Sequence, residues 1–475
     1  MGEEIDIDIC VIGGGSGGLS VAAAAAAFGV PVVLVERGKM GGDCLNYGCV
    51  PSKALLAAAK RAHLLKEAEA FGTKVQKAKI DFLDVHAHVA DVIRAIAPND
   101  SKERFGGLGV RVIDGTARFT DARTVAVGDR YTIKARRFVL ASGSMPAVPP
   151  IPGLSGVPYL TNESIFDLTQ CPKHLIVIGG GPIGLELAQA HRRLGAAVTV
   201  LEAAAPLAKD DPECAAIVLD QLERDGVDIR AGVKITRVER NRGRIRAVLA
   251  GEPETAVEGS HLLVAAGRRA NVADLGLDAA GIQYEERGIK VDAGLRTTNR
   301  KVYAIGDCAL GAPQFTHVAN HHAGLVIRNA LFRLPVNANA GVLPWVTYTD
   351  PELAQVGLRE EEARAQEKSI RVLRWPYHEN DRAQTDGETV GHIKLVTAGN
   401  GRILGATIVG AHAGELITTW TLAITQGLKV GALLGTVVPY PTLAEIGKRA
   451  ATSYYTSSLT GPWVRRIIRF MRRFG

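Results

Sequence analysis

An α/β fold with two parallel-sheet domains and a later α+β region is predicted by three observations. Two stretches far apart each read strand, glycine turn, helix, strand. A glycine-flanked cysteine pair follows the first within a few residues. From Gly341 onward the pattern changes to short strands and late helices. A chain of 475 residues is too long for one core, so several domains are expected. The most apolar stretch, Leu19 to Phe28, is short and alanine-rich; it reads as a buried helix, not a membrane span. The opening Met1-Gly2-Glu3-Glu4-Ile5-Asp6 is acidic and leads straight into a strand, so no secretory signal is expected. Six cysteines in a chain of this size do not form a disulfide framework, and a cytoplasmic location is expected. Of the net charge of +7, Arg465, Arg466, Arg469, Arg472 and Arg473 supply five. The body is then close to neutral, with no broad basic face, and no nucleic-acid partner is expected.

In chain order, Ile7 to Ile12 is an apolar strand that ends in Gly13-Gly14-Gly15-Ser16-Gly17-Gly18. Gly13, Gly15 and Gly18 fit glycine-x-glycine-x-x-glycine, and strand Val32 to Val35 ends at Glu36. This is a Rossmann-like βαβ unit: its glycines let backbone approach a pyrophosphate at a helix N-terminus, and Glu36 suits a ribose diol. Next comes Gly41-Gly42-Asp43-Cys44-Leu45-Asn46-Tyr47-Gly48-Cys49-Val50-Pro51-Ser52-Lys53. On an ideal helix a five-residue step turns about 500°, so Cys44 and Cys49 diverge unless the chain is distorted. Gly41, Gly42 and Gly48 permit distortion, and Pro51 suits the early turns of a following helix. The pair reads as an exchange-active disulfide, as two unrelated thiols, or as half a metal site. Zinc would space its cysteines by two to four residues and need further ligands nearby.

Ala54 to Pro98 reads as two helical segments broken near Phe71-Gly72, and Gly109 to Ile133 as short strands. Strand Phe138 to Ala141 ends in Ser142-Gly143-Ser144, and Pro146, Pro149, Pro150 and Pro152 mark a linker. The second βαβ unit has strand Leu175 to Ile178, Gly179, Gly181 and Gly184, a helix from about Leu185 to Leu194, and strand Val198 to Leu201 ending at Glu202. A carboxylate there favours a free ribose 2′-hydroxyl, and Ala203 to Ala205 bring no arginine for a 2′-phosphate, so NADH is expected over NADPH. His317, His321 and His322 lie close together, yet no cysteine or acid completes a set, and no metal is expected. Strands are expected at Leu343 to Tyr348, Ile370 to Trp375, Gly391 to Val396 and Ile403 to Val409, with helices at Glu415 to Gln426 and Thr442 to Tyr454.

The stretch Gly41 to Lys53 resembles the active-site signature of the pyridine nucleotide-disulfide oxidoreductases, and the similarity extends over nearly the whole chain. The resemblance implies an FAD-binding domain at 1–150, an NAD-binding domain at 151–267, a return to the first at 268–340, and a dimerisation domain at 341–461, with a tail at 462–475. It implies a homodimer that passes electrons from NADH to FAD, to a Cys44–Cys49 disulfide and on to an external acceptor. By analogy Cys49 lies against the flavin and Cys44 is the interchange thiol. Lys53 pairs with Glu186 beneath the flavin. Gly42, Ser142, Gly143, Gly306, Asp307 and His317 belong to the flavin site, and Gly267 closes the nicotinamide domain.

Two features depart from the family pattern. Dihydrolipoamide dehydrogenases and glutathione reductases carry a histidine where this chain has Tyr440, held by an acid at the Glu445 position. An unperturbed tyrosine, with a pKa of about 10, is a poor base for a dithiol. Mercuric reductases carry tyrosine there and another at the Tyr159 position, so the expected acceptor is a small-molecule disulfide or, alternatively, a metal ion. Paired C-terminal cysteines and an N-terminal metal-binding domain like theirs are not expected in this chain, which counts against a true mercuric reductase. The second departure is the tail. Trp463, Ile467, Phe470, Met471 and Phe474 fall near one helix face, largely opposite the five arginines. This suits peripheral contact with the inner face of a membrane, and equally a helix packed on the partner subunit; with membrane contact, a third reading of the chain is a membrane-tethered electron-transfer or redox-sensing flavoprotein.

Overall fold

The computed structural model describes residues 2–74, 79–459 and 461–474. Parts of the opening, of the 54–98 segment and of the tail, namely Met1, residues 75–78, Thr460 and Gly475, lie outside the described residues. By their contacts the residues form two compact units, 1–203 with 232–341, and 204–231 with 342–475.

In the first unit a parallel core of strands runs Val110–Asp114, Val32–Glu36, Glu3–Ile12, Tyr131–Leu140, with Val302–Ala304 beside the end of the last. The start of Tyr131–Leu140 carries an antiparallel extension, Thr124–Val127 and then Ala117–Asp121. Side chains alternate between two buried faces. Ile9 and Val11 share a core with Leu19 of the helix Ser16–Ala27 and Val326 of the helix Thr316–Phe332. Cys10 and Ile12 belong to the other core, with Phe119, Phe138 and Ile282. A sheet covered on both faces explains the unbroken apolar runs in its strands. The first strand starts at Glu3, earlier than its apolar run suggests. Its acids find basic partners: Glu3 pairs with Arg111 at 2.8 Å and Asp8 with Arg136 at 2.6 Å.

The second parallel set, His261–Val264, His174–Ile178 and Ala197–Leu201, carries the helix Pro182–Arg193. Proline at its first turn starts this helix ahead of the expected Leu185. An antiparallel meander, Ile235–Asn241, Arg244–Leu249 and Thr255–Gly259, shares a core with these strands through Val238, Ala247 and Val257.

The second unit is built on an antiparallel sheet in the order Trp345–Thr347, Glu352–Gly357, Ile403–Gly410, His392–Ala398, Ile370–Pro376. The strand Glu352–Gly357 is not among the expected ones, because Glu352 and Gln355 break its apolar pattern. Glu352 accepts from the Gly414 N–H at 2.8 Å, and buried Gln355 accepts from the Thr407 hydroxyl. Helices Ala413–Thr425 and Glu445–Leu459 pack on the sheet. The segment 204–231 joins this unit through Asp211, which caps the helix Pro212–Arg224 and meets buried Lys394 at 2.8 Å. Glu213 and Glu360 add their carboxylates around that ammonium, at 3.1 and 3.0 Å. A buried lysine needs such a cage to stay charged.

Candidate functional site

The redox stretch folds as one helical turn, Gly42–Asn46, a break at Tyr47 and Gly48, and then the long helix Cys49–Glu67. Gly48 takes φ −122° and ψ −113°, and a β-carbon there would sit 3.1 Å from the Asp43 carbonyl oxygen. This break brings Cys44 and Cys49 close enough for each to shift the other's titration. Both are free thiols here. Cys49 opens a 19-residue helix, whose N-terminal dipole favours a negative sulfur. The Thr316 hydroxyl, at the start of another helix, lies 3.5 Å from the same atom.

These groups divide the two thiols. Cys49 is held down to about 6, first by the bond from Cys44, then by Thr316 and the Lys53 ammonium, against burial and the Glu186 charge. Cys44 is driven far above the usual thiol range, because it is the donor to Cys49, is partly buried, and faces the charges of Cys49 and Asp43. The reduced pair therefore keeps one proton, on Cys44, and carries a thiolate at Cys49 near neutral pH.

Lys53, one turn further along the helix, meets Glu186 at 2.7 Å; the Glu186 side chain is 6% exposed. Asp43 is tied in the other direction. Arg268 Nη2 lies 3.2 Å from its carboxylate, and the Asn162 amide donates to it and to the Tyr47 carbonyl, each at 3.1 Å. Arg268 also donates to the Ser144 hydroxyl at 2.8 Å, which donates to Asp307 at 2.6 Å. Burial raises the Asp307 carboxyl, with Ser144 and Arg268 opposing it and Asp43 adding to it. Ser142 donates to the Asn271 carbonyl at 2.7 Å and the Asn271 N–H to Gly143 at 2.9 Å, which links the Ser142-Gly143 turn to the stretch after Gly267. The Gly306 N–H donates to His322 at 3.2 Å, and burial lowers that histidine to about 4, so it stays neutral. His317 is exposed and stacks on Phe315. Among the described residues no group of three or more histidine, cysteine or acid side chains is placed to hold a metal.

Three sequence-predicted candidates remain. Tyr159 packs on the apolar core around Leu154 and Val157. Tyr440 and Glu445 belong to the second unit. The Tyr440 hydroxyl donates to Asp381 at 2.8 Å, and that carboxylate, with Glu445 contributing, raises its pKa. Thr316, Asp43, Asn162, Arg268 and Ser144 are site residues that sequence reasoning missed. The one available signal was that Thr316 directly precedes His317, a residue the resemblance assigns to the flavin site.

The glycines test whether nucleotides fit. Gly13 and Gly179 take φ of +112° and +114°, and a β-carbon on either would lie 2.2 or 2.4 Å from the carbonyl oxygen of Ala141 or Ala265. Gly18 and Gly184 would collide with the carbonyl oxygens of Gly13 and Gly179 at 1.8 and 2.0 Å. The fold itself imposes these four. Gly15 and Gly181 differ. Both are extended; a β-carbon at Gly15 would have only an ordinary contact at 3.8 Å, and one at Gly181 would meet nothing within 4 Å. Glycine at these two places is what the close approach of a phosphate would require. Glu36 accepts from the N–H groups of Gly14 and Gly38, and Glu202 from Gly180 at 2.6 Å, so each acid is fixed at its loop. The residues fit one dinucleotide at each loop. Gly181→Ala is expected to leave the thermal unfolding midpoint unchanged and to raise the KM for the pyridine nucleotide roughly tenfold or more. Gly184→Ala should instead destabilise by more than ~1 kcal/mol. Equal destabilisation by both would remove the distinction.

Known proteins resemble this chain over most of its length. Residues 7–323 match the pyridine nucleotide-disulphide oxidoreductase model, and residues 343–451 match the dimerisation domain of the same family. A dihydrolipoyl dehydrogenase of Thermus scotoductus is 38% identical over 471 residues, covering 95% of this chain and 98% of that protein. A mercuric reductase of Bacillus cereus is 36% identical over 455 residues, covering 94% and 72%. Among solved structures, the Cu(II) complex of the HOCl-induced flavoprotein disulfide reductase RclA from Escherichia coli superposes with a TM-score of 0.85 at 26% identity. It covers 94% of this chain and 99% of that one. With two glycine loops shaped for dinucleotides, an adjacent dithiol and a dimerisation domain, the chain belongs to the pyridine nucleotide-disulphide oxidoreductases, flavin-dependent enzymes acting on sulfur groups.

Proposed function

We propose that this chain, as a homodimer, uses NADH to reduce a small-molecule disulfide through Cys44 and Cys49, with the chemistry of a dihydrolipoyl dehydrogenase. The observation that carries the reading is the placement of the pair: Cys49 opens the helix Cys49–Glu67, 3.5 Å from the Thr316 hydroxyl and one turn before Lys53, with Cys44 on the preceding helical turn. FAD, when bound, supplies the two-electron link between the nicotinamide and the cysteines. Gly13, Gly15, Gly18 and Glu36 would hold its dinucleotide part, with Gly42, Ser142, Gly143, Gly306, Asp307 and His317 completing the site. Gly179, Gly181, Gly184 and Glu202 would hold NADH, and Gly267 closes that domain. Glu202 supports NADH because its carboxylate is fixed at the loop and no arginine directly follows it.

In the exchange step Cys44 attacks the acceptor disulfide. One acceptor sulfur leaves and takes a proton; Cys49 then displaces the second from Cys44, which closes the Cys44–Cys49 disulfide. The proton that Cys44 gives up goes to the leaving acceptor sulfur, so Cys49 stays a thiolate for the second displacement, whose sulfur leaves as a thiolate. Tyr440, its hydroxyl already donating to Asp381, is a poor base for this step. Homodimer formation is supported by the match to the dimerisation domain and by exposed Leu422, Val437 and Tyr440 in the second unit. A metal ion as acceptor is the second reading, favoured by Tyr440 and Tyr159 at positions where mercuric reductases carry tyrosine. The exposed apolar side chains of the tail support peripheral contact with a membrane. Among the described residues no helix is long and apolar enough to cross one.

Anaerobic titration of the holoenzyme with NADH, followed by lipoamide, oxidised glutathione or Hg²⁺, tests the reading. Long-wavelength absorbance from a thiolate beside oxidised flavin is expected after two electrons, with reoxidation by a disulfide and a higher kcat/KM for NADH than for NADPH. Reoxidation by Hg²⁺ alone moves the assignment to a metal reductase, and a preference for NADPH overturns the role of Glu202.

A further inference from the structure

The helix Pro462–Met471 buries none of its residues. Trp463 is 76% exposed, Phe470 56%, Met471 61% and Phe474, just beyond the helix, 74%. At about 100° per residue the apolar side chains from Trp463 to Phe474 span an arc of roughly 160°, and the five arginines occupy the rest without mixing. No aspartate or glutamate occurs between Gly461 and Gly475. An apolar face of this kind commonly packs on its own domain. Here it does not, and any protein surface covering it would have to offer a matching set of carboxylates around an apolar groove. Ten helical residues rise only about 15 Å, half the hydrocarbon thickness of a bilayer, so the helix cannot span one.

We propose that this helix lies flat in the headgroup layer of an anionic lipid bilayer, with Trp463, Ile467 and Phe470 in the acyl boundary and the arginines on lipid phosphates. Aromatic and branched side chains favour that boundary, and guanidinium groups bind phosphate oxygens in pairs. A dimer would present two such helices, and the second would bind at the high effective concentration set by the first. The inference rests on the membrane-contact reading and not on the identity of the electron acceptor.

The test is co-sedimentation of the FAD-loaded full chain with vesicles of phosphatidylcholine alone or mixed with phosphatidylglycerol, at low and high salt. Binding to the anionic vesicles at low salt is expected, with loss to background on neutral vesicles and roughly a tenfold or greater loss for the chain lacking residues 461–475. Ile467→Glu with Phe470→Glu should match the deletion, while Arg465→Lys with Arg469→Lys should keep most binding. NADH oxidation in solution should be unchanged in every variant, so failure of lipid binding is distinguishable from failure of the redox reading. Equal binding to neutral vesicles, equal binding after deletion, or no binding by the intact chain overturns the proposal. A deletion that splits the dimer without altering sedimentation also overturns it, and assigns the helix to the partner subunit instead.

Discussion

Alanine at Cys49 is expected to abolish acceptor reduction while NADH still bleaches the flavin of the holoenzyme. Without Cys49 no intramolecular disulfide can form, and the mixed disulfide on Cys44 has no sulfur beside it to release the product. Steady-state turnover with a disulfide acceptor should fall by roughly three orders of magnitude or more, the scale of losing a nucleophile. Stopped-flow measurement of flavin bleaching separates this from general damage: if bleaching is lost as well, the order of electron transfer is wrong. Cys44→Ser should also stop turnover, yet keep the long-wavelength absorbance, because the Cys49 thiolate survives. The sign of its pH dependence follows from a depressed pKa. In the reduced wild-type enzyme the absorbance should be full well above about 6 and fade as pH drops through that value. A midpoint in the ordinary thiol range, about 8.5, would mean that the groups around Cys49 do not support its charge.

Replacing Lys53 by methionine carries the second large effect. Lys53 and Glu186 are 133 residues apart in sequence and 2.7 Å apart in space, and they act on Cys49 in opposite senses. Lys53→Met removes a stabilising cation, so the Cys49 midpoint should rise. Glu186→Gln removes an opposing anion, so it should fall. Reduction by NADH should slow by roughly 10²-fold in Lys53→Met, the scale of losing one charged donor at a reacting centre. Absorbance titration of both variants checks this. Midpoints that move in the same direction would point to a packing disturbance instead of the field of these two charges.

The fold was legible where the signal was local. Both glycine loops could be read directly, since strand, turn, helix and terminal acid lie within thirty or so residues. The distortion around Cys44 followed from helix geometry and from Gly41, Gly42 and Gly48. What escaped was long-range. Asp43 looked like filler in the cysteine stretch, yet its partners are Asn162 and Arg268, which only the folded chain brings near. Thr316 reaches Cys49 across 267 positions. The Lys53–Glu186 pair was reachable through family resemblance alone, because each residue by itself looks like a solvated helix charge. Strand Glu352–Gly357 was missed because its polar residues are satisfied inside the second unit and not by solvent.

The contrast among the loop glycines has a consequence for the life of the protein in a cell. Residues that the backbone demands, such as Gly18 and Gly184, guard abundance; Gly15 and Gly181, where the backbone leaves room for a side chain, would on the proposed reading guard what the abundant protein can do. An allele with alanine at Gly15 should accumulate as full-length, protease-resistant but pale protein. One with alanine at Gly181 should accumulate just as well and stay yellow, yet idle for want of its reductant. Neither differs from wild type on a blot. A screen that scores yield passes both, one that scores colour catches only the first, and only an assay of nucleotide oxidation catches the second.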